Sequence, residues 1–382
     1  MKMKSVFGIT KELKKDENRV ALTPDSVKLL VENGLEIYIE KDAGILSGFS
    51  NEMYIEAGAK IANTKEELWD KANVIIKVKE PQKEEYSLFK EDQIIFSYMH
   101  LAVEPELTKK LLERKVCAIC AESVQDKNGD FPLLRPMSEV AGRLSIQLGA
   151  HYLEKQNGGQ GILLGGVPGV KPSKVVIIGG GVVGSNAAKV ALGMGADVSV
   201  IDTNSEKLAM LDFLFNGNIK THYSNPTTIL EEAKKADILV TAVLKPNQKA
   251  PVIVREEVVK QMKKGSFLID VAIDQGGNTE TIDRITTISE PVYEKYGVIH
   301  CAISNLPSLT PKTSSYAYSY AILPYIQQIG ELGGFMAIKE VDALSKGVNT
   351  FRGEVTNYEL AKTFGYEHTE LSLLVGFRVN NG

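Results

Sequence analysis

Residues 174–204, KVVIIGGGVVGSNAAKVALGMGADVSVIDTN, constrain the fold most tightly. A β-branched apolar run, Val175–Ile178, meets the glycine turn Gly179–Gly184. A helical pattern follows from about Val182 to Met194, closed by Gly195, and a second apolar run, Val198–Ile201, ends in Asp202. Strand, G-x-G-x-x-G turn, helix, strand and acid in this order form a dinucleotide-binding fingerprint. Gly179 permits the tight turn, Gly181 lets the backbone approach a pyrophosphate, and Gly184 lets helix and strand pack closely. The helix N-terminus offers N–H groups to phosphate. Asp202 accepts from a ribose 2′-hydroxyl and repels a 2′-phosphate, which favours NAD over NADP.

A chain of 382 residues suggests two domains. Its net charge of −4 gives no reason to expect a nucleic-acid partner. No apolar run approaches the ~20 residues of a membrane span, and the opening MKMKSVFGITKEL lacks a signal-peptide core, so a cytoplasmic location is expected. Cys117 and Cys120 form a CxxC within KVCAICAE, which reads as a strand. Residues three apart on a strand face opposite ways, so buried thiols are expected there and no metal site.

The first third alternates strand and helix: strands at Ser5–Ile9, Glu36–Glu40, Val74–Val78, Ile94–Met99 and Val116–Ile119, with helices from Thr23, Asn51, Lys65 and Pro105. That alternation implies a parallel, doubly wound sheet. After QDKNGDFPLLRP, Ser138 reads as the N-cap of a helix over 139–153. The second nucleotide-binding half follows, with strands at Ile238–Ala242, Ser266–Val271 and Gly297–Ile303, and PSLTPKTSS leads into a helix to about Leu332. The remainder, 337–382, reads as short helices. The expected fold is α/β: two doubly wound Rossmann-like domains, the NAD-binding one (133–305) inserted into the other (1–132 and 306–382).

Ligands in open α/β sheets sit beyond the carboxyl ends of the strands. After the first strand come Lys11, Lys14, Lys15 and Arg19; after the third, Lys77 and Lys79; after the next, His100; in the nucleotide domain, DVAIDQGG carries Asp274. The cations suit a substrate carboxylate, which Arg19 can bind through two parallel hydrogen bonds. His100 titrates near neutrality and suits acid/base work. Asp274 suits orienting a water or holding an ammonium group. Plain readings stand beside these: Arg19 as a solvated residue, Lys77 and Lys79 as an exposed strand end, His100 as a core residue, Asp274 as a loop cap.

Around these residues the sequence resembles the alanine dehydrogenase / pyridine nucleotide transhydrogenase family. The matching stretches include GITKELKKDENRVALTP, KVKEP, MHLA, PLLRPMSEVAGRLSIQLGA, DVAIDQGG and SNLPSLTPKTSSYA. The resemblance implies Arg19 and Lys79 as carboxylate binders, and His100 and Asp274 as the catalytic pair. It implies cofactor contacts at Ser138, Asp202, Lys207, Val243, Leu244, Ala272, Ile273, Asp274, Arg284, Ser304, Asn305 and Leu306, beside Gly179, Gly181 and Gly184. It further implies NAD-dependent oxidative deamination of L-alanine to pyruvate and ammonium by a homohexamer. Leu134 and Met137 are expected to wall the methyl group. An N-carboxyalkyl amino acid synthase, a soluble transhydrogenase subunit and a non-catalytic NAD sensor are the alternatives. No function is expected of the tail after Leu373.

Overall fold

The computed structural model describes residues 5–244 and 249–376; the end of the tail, 377–382, lies outside them. The chain divides into two compact units, Met1–Met137 with Thr310–Gly382, and Ser138–Leu309.

The first unit is built on eight strands: β1 (Val6–Ile9), β2 (Glu36–Glu40), β3 (Lys60–Ala62), β4 (Val74–Ile76), β5 (Ile94–Ser97), β6 (Cys117–Cys120) and, late in the chain, β14 (Val348–Phe351) and β15 (Glu354–Val355). Their order is β15-β14-β6-β5-β4-β1-β2-β3. β1 to β6 run parallel, and β14 is antiparallel to β6. β4, β5 and β6 are buried on both faces, so their sequences read as continuous apolar runs, as in a sheet covered on both sides. Cys117 and Cys120 point into different cores, one on each side of β6. Burial holds both thiols well above their ordinary range, which makes them inert packing groups.

The chain beyond 337 corrects the sequence reading. It holds short helices, and it also contributes β14 and β15, which extend the first sheet. VNTF followed by a Gly turn is too short to announce itself by period. It becomes a strand because β6 otherwise presents an unpaired edge.

The second unit carries β7 (Lys174–Ile178), β8 (Asp197–Asp202), β9 (Lys220–Tyr223), β10 (Ile238–Thr241), β11 (Phe267–Asp270), β12 (Val292–Lys295) and β13 (Val298–Cys301), in the order β12-β13-β11-β10-β7-β8-β9. All pairs are parallel except β12 with β13. Both units are α/β with doubly wound sheets. In each, the winding direction reverses once, between β1 and β4 and between β7 and β10. A reversal leaves a crevice at the carboxyl ends of the flanking strands; Arg19, Lys77 and Lys79 follow β1 and β4, and the glycine turn and Val243 follow β7 and β10.

One helix boundary differs from expectation. The helix expected to start after Ser138 runs from Leu134 to Tyr152. Pro136 falls within its first turn, where a missing N–H costs nothing because no i−4 carbonyl is available. Ser138 therefore lies inside the helix and does not cap it.

Candidate functional site

In the first unit, the loop after β1 and the loop after β4 meet at the reversal point. Glu12 Oε1 accepts from the Val78 N–H at 2.6 Å and Oε2 from the Lys79 N–H at 3.3 Å, which ties the two loops together. Strand β4 ends at Ile76, so Lys77 and Lys79 lie in the loop beyond it. Both are buried, at 0% and 5% exposure, which rules out the exposed-strand-end reading. Their environments differ. The Lys77 ammonium donates to Glu85 at 2.9 Å and to the Thr10 hydroxyl at 3.0 Å, with Glu12 at 3.5 Å. Lys79 makes no side-chain hydrogen bond or ion pair among the described residues. A desolvated ammonium without an anion is costly, so Lys79 can take up a negative group at this point.

Arg19 is also buried, at 2% exposure, which excludes the solvated reading. Glu17 holds one edge of its guanidinium: Nε to Oε1 at 2.7 Å and Nη2 to Oε2 at 2.6 Å. Nη1 points to Met137 Sδ at 3.0 Å, so one of the two residues expected to wall a methyl group touches the arginine. Burial pulls the guanidinium pKa down, and the adjoining Glu17 more than reverses this. Glu12 behaves oppositely. Burial pushes its carboxyl up to about 7 despite Lys77, with Glu17 adding to the rise. Lys77 sits closer to Glu85 than to Glu12, so Glu12 is the carboxyl that gives way.

His100 follows β5, two strands from β1 in the same sheet. It is half-buried, and its backbone is left-handed, φ 48° and ψ 40°. Such a conformation costs a non-glycine residue roughly 1–3 kcal/mol unless its surroundings impose it. Glu122, just after β6, imposes it: its carboxylate accepts from the His100 N–H at 2.6 Å and the Met99 N–H at 3.2 Å. Glu12, Glu17 and Glu122 escaped the sequence reading. Glu12 and Glu17 stand among cations in TKELKKDENR, a mixture of signs that does not tell a buried carboxylate from a solvated one, and nothing around Glu122 marks it either.

In the second unit, the glycine turn has the expected geometry. Gly179 has φ 105°. A Cβ on Gly184 would stand 1.8 Å from the Gly179 carbonyl oxygen, so only glycine fits there. A Cβ on Gly181 would meet nothing within 4 Å: the turn is open on the side where a phosphate would lie, at the N-cap of the helix Val182–Gly193. Asp202, at the end of β8, accepts from Gly180 N–H at 2.7 Å and Asn204 N–H at 2.8 Å. The cradle, the free helix end and the acid all fit a dinucleotide.

Asp274 is the exposed residue of the 3-10 turn Ile273–Gln275 after β11. Ser304 Oγ donates to its Oδ1 at 2.6 Å, and Asn305 N–H lies 3.4 Å from Oδ2. Ala272 and Ile273, just before it in sequence, and Leu306, just after Asn305, are buried, while Leu244 is exposed. The remaining expected contacts lie on other elements of the unit. Lys207 is exposed on the helix Ser205–Leu214. Arg284 stacks over Tyr293 at 3.9 Å from the ring centre. Ser138 is half-buried within its helix, so a phosphate contact there rests on its hydroxyl alone. Among the described residues no group of three or more His, Cys, Asp and Glu suits a metal ion, and no helix is long and apolar enough to cross a membrane.

The model of the N-terminal domain of alanine dehydrogenase/PNT matches residues 8–141, and that of its C-terminal domain matches 145–358. The chain belongs to the alanine dehydrogenase/PNT family. Within this family, the alanine dehydrogenase of Methanococcus maripaludis is 54% identical over 364 residues, covering 95% of this chain and 98% of the relative. That of Bacillus subtilis is 51% identical over 363 residues, covering 95% and 96%. A solved structure of L-alanine dehydrogenase aligns with a TM-score of 0.91 at 44% identity over 94% of this chain and 99% of the other. The transhydrogenase structure from Sinorhizobium meliloti, 23% identical with a TM-score of 0.77 over 93% and 99%, shares the fold.

Proposed function

We propose that this chain catalyses the reversible, NAD-dependent oxidative deamination of L-alanine to pyruvate and ammonium. The observation that carries the reading is the buried ammonium of Lys79, lacking an anionic partner among the described residues, in a chain half-identical over its length to proteins named alanine dehydrogenase.

Arg19 and Lys79 hold the substrate carboxylate. Met137 and Leu134 bound the methyl group. Bound NAD supplies the acceptor for the hydride that leaves Cα. The substrate amine must be neutral at that stage, so deamination gains rate as pH rises. Asp274 places the water that attacks the resulting imine carbon. His100 takes the proton that this water releases and returns it to the departing nitrogen. Gly179, Gly181, Gly184 and the helix N-terminus hold the pyrophosphate, and Asp202 holds the adenosine ribose. Ser138, Lys207, Val243, Leu244, Ala272, Ile273, Arg284, Ser304, Asn305 and Leu306 complete the proposed cofactor contacts. A homohexameric, cytoplasmic enzyme completes the reading.

The test follows nicotinamide absorbance with a panel of amino acids and both NAD and NADP. Turnover with L-alanine and NAD, slower by about 10–200-fold for a side chain one methylene larger, is the expected result. No turnover with alanine, or reduction of pyruvate that requires a second amino acid in place of ammonium, would overturn it. In an active chain, His100→Ala should lose about 10²–10⁴-fold in kcat.

A further inference from the structure

Asn278 is wholly buried, at 0% exposure, immediately after the double glycine that follows Asp274. Its side-chain amide pairs with both backbone groups of one distant residue. Oδ1 accepts from Val243 N–H at 2.9 Å, and Nδ2 donates to the Val243 carbonyl at 2.9 Å and to the Pro251 carbonyl at 3.0 Å. One acceptor facing an N–H and two donors facing carbonyls fix the amide orientation. Its backbone is equally committed. Asn278 N–H donates to Asp270 Oδ2 at 2.6 Å, and its carbonyl accepts from Ile253 and Val254 at 2.8 and 3.0 Å. Asp270, itself buried at the end of β11, accepts from Ala272 N–H at 3.1 Å with its other oxygen. The loop 271–277 that carries Asp274 is thus closed at its base. The residue that closes it also grips the loop after β10. That second loop abuts the glycine turn: a Cβ on Gly179 would stand 2.6 Å from the Ala242 oxygen and 3.1 Å from Val243 Cγ2.

We propose that Asn278 is a positioning residue that locks the Asp274 loop and the backbone at Val243 into one rigid piece against the dinucleotide turn. Nothing about its own chemistry enters the reaction. It acts through where Val243 and Asp274 are held, and the catalytic part of the inference rests on the function proposed above. An asparagine is required because a peptide-like group must supply both an acceptor and donors in one plane. Aspartate keeps the acceptor and turns a charge toward two carbonyls.

Asn278→Asp and Asn278→Ala are the tests, read by NADH fluorescence titration and by steady-state kinetics. The expected result is a rise of about tenfold in the NADH Kd and in the KM for NAD, the loss of about one net hydrogen bond. It comes with a fall in kcat, while the KM for alanine at saturating NAD stays within about twofold. A purely structural asparagine would lower the melting temperature and the active fraction and leave both Michaelis constants unchanged; that outcome overturns the proposal. Should neither variant fold, hydrogen exchange on the wild-type chain decides. Peptides spanning 236–244 and 270–279 must exchange at a common rate and slow together with NADH, and independent rates overturn the clasp. A wild-type chain that binds NADH yet does not oxidise alanine refutes the proposed function, while the titration and exchange still judge Asn278.

Discussion

Glu17 grips Arg19 along one edge of its guanidinium, through contacts of 2.7 and 2.6 Å with both side chains buried. The pair sets a negative charge against one edge of the arginine, and under the proposed function it restricts the direction from which a substrate carboxylate can meet it. Glu17→Gln keeps a neutral acceptor and loses the charge. The KM for pyruvate should rise about 10–100-fold, with the NADH Kd unchanged, when an interaction of this charge-assisted type is lost. Glu17→Ala should also cost about 3–5 kcal/mol of stability, because it leaves a buried cation exposed to no counter-charge from that side. Kinetics and denaturant midpoints check both. An unchanged KM in Glu17→Gln would show that the clamp does not orient Arg19 for substrate.

Lys77 and Lys79 should respond in opposite ways to replacement by methionine. Lys77 neutralises Glu85 and approaches Glu12, so Lys77→Met should destabilise the chain by about 3–5 kcal/mol. Lys79 has no such partner among the described residues, so Lys79→Met should keep or raise the melting temperature while the KM for alanine rises at least about tenfold. A melting temperature that falls equally in both variants would contradict the distinction.

Glu12 predicts a pH effect with a definite sign. Its folded-state pKa of about 7 lies above the ordinary 4.5, so between these values the folded chain keeps a proton that the unfolded chain has lost. The contribution to stability is complete below about pH 4.5 and fades as pH rises to about 7, amounting to about 3 kcal/mol. Glu12→Gln removes that dependence. The difference in urea midpoint between variant and wild type should therefore shift in favour of the variant as pH rises from 4.5 to 7. A constant difference would place the Glu12 pKa outside this window.

The glycine turn separates folding from binding. Gly184→Ala places a methyl 1.8 Å from the Gly179 oxygen, an overlap that only a backbone shift relieves. A loss of at least about 3 kcal/mol is expected, at the severe end for overpacking. Gly181→Ala meets open space, so the chain should fold with a near-normal melting temperature and lose NADH affinity about tenfold or more, since the methyl occupies the pyrophosphate side. Calorimetry and NADH titration distinguish the two variants. Tight NADH binding by Gly181→Ala would mean that the phosphates lie elsewhere.

The central strands were legible because helices cover both faces of each sheet, so β4, β5, β7, β10 and β11 read as unbroken apolar runs. The edge strands β3, β9, β12 and β15 were not, being short, partly exposed and rich in Lys, Glu and Thr. Pro136 hid the true start of the helix Leu134–Tyr152, because a proline in a first turn and a proline in a loop look alike in sequence. The fingerprint declared itself through fixed backbone requirements at Gly179 and Gly184. The cationic site declared only its cations. That Glu17 and Glu122 orient Arg19 and the His100 turn depends on burial, and a carboxylate in KKDENR carries no mark that distinguishes a buried partner from a solvated neighbour. Asn278 was invisible for the same reason, since its partner Val243 lies 35 residues away.

The first sheet takes β14 from the far end of the chain: the Thr350 hydroxyl reaches back to the Val116 carbonyl across 234 positions. During synthesis, residues 138–309 leave the ribosome as one uninterrupted stretch and can complete their own sheet at once. The earlier strands β1 to β6 must wait with the edge of β6 uncovered until the last tenth of the chain appears. A growing chain therefore finishes its middle before its beginning, and for that interval the exposed β6 edge is its main opportunity for mispairing.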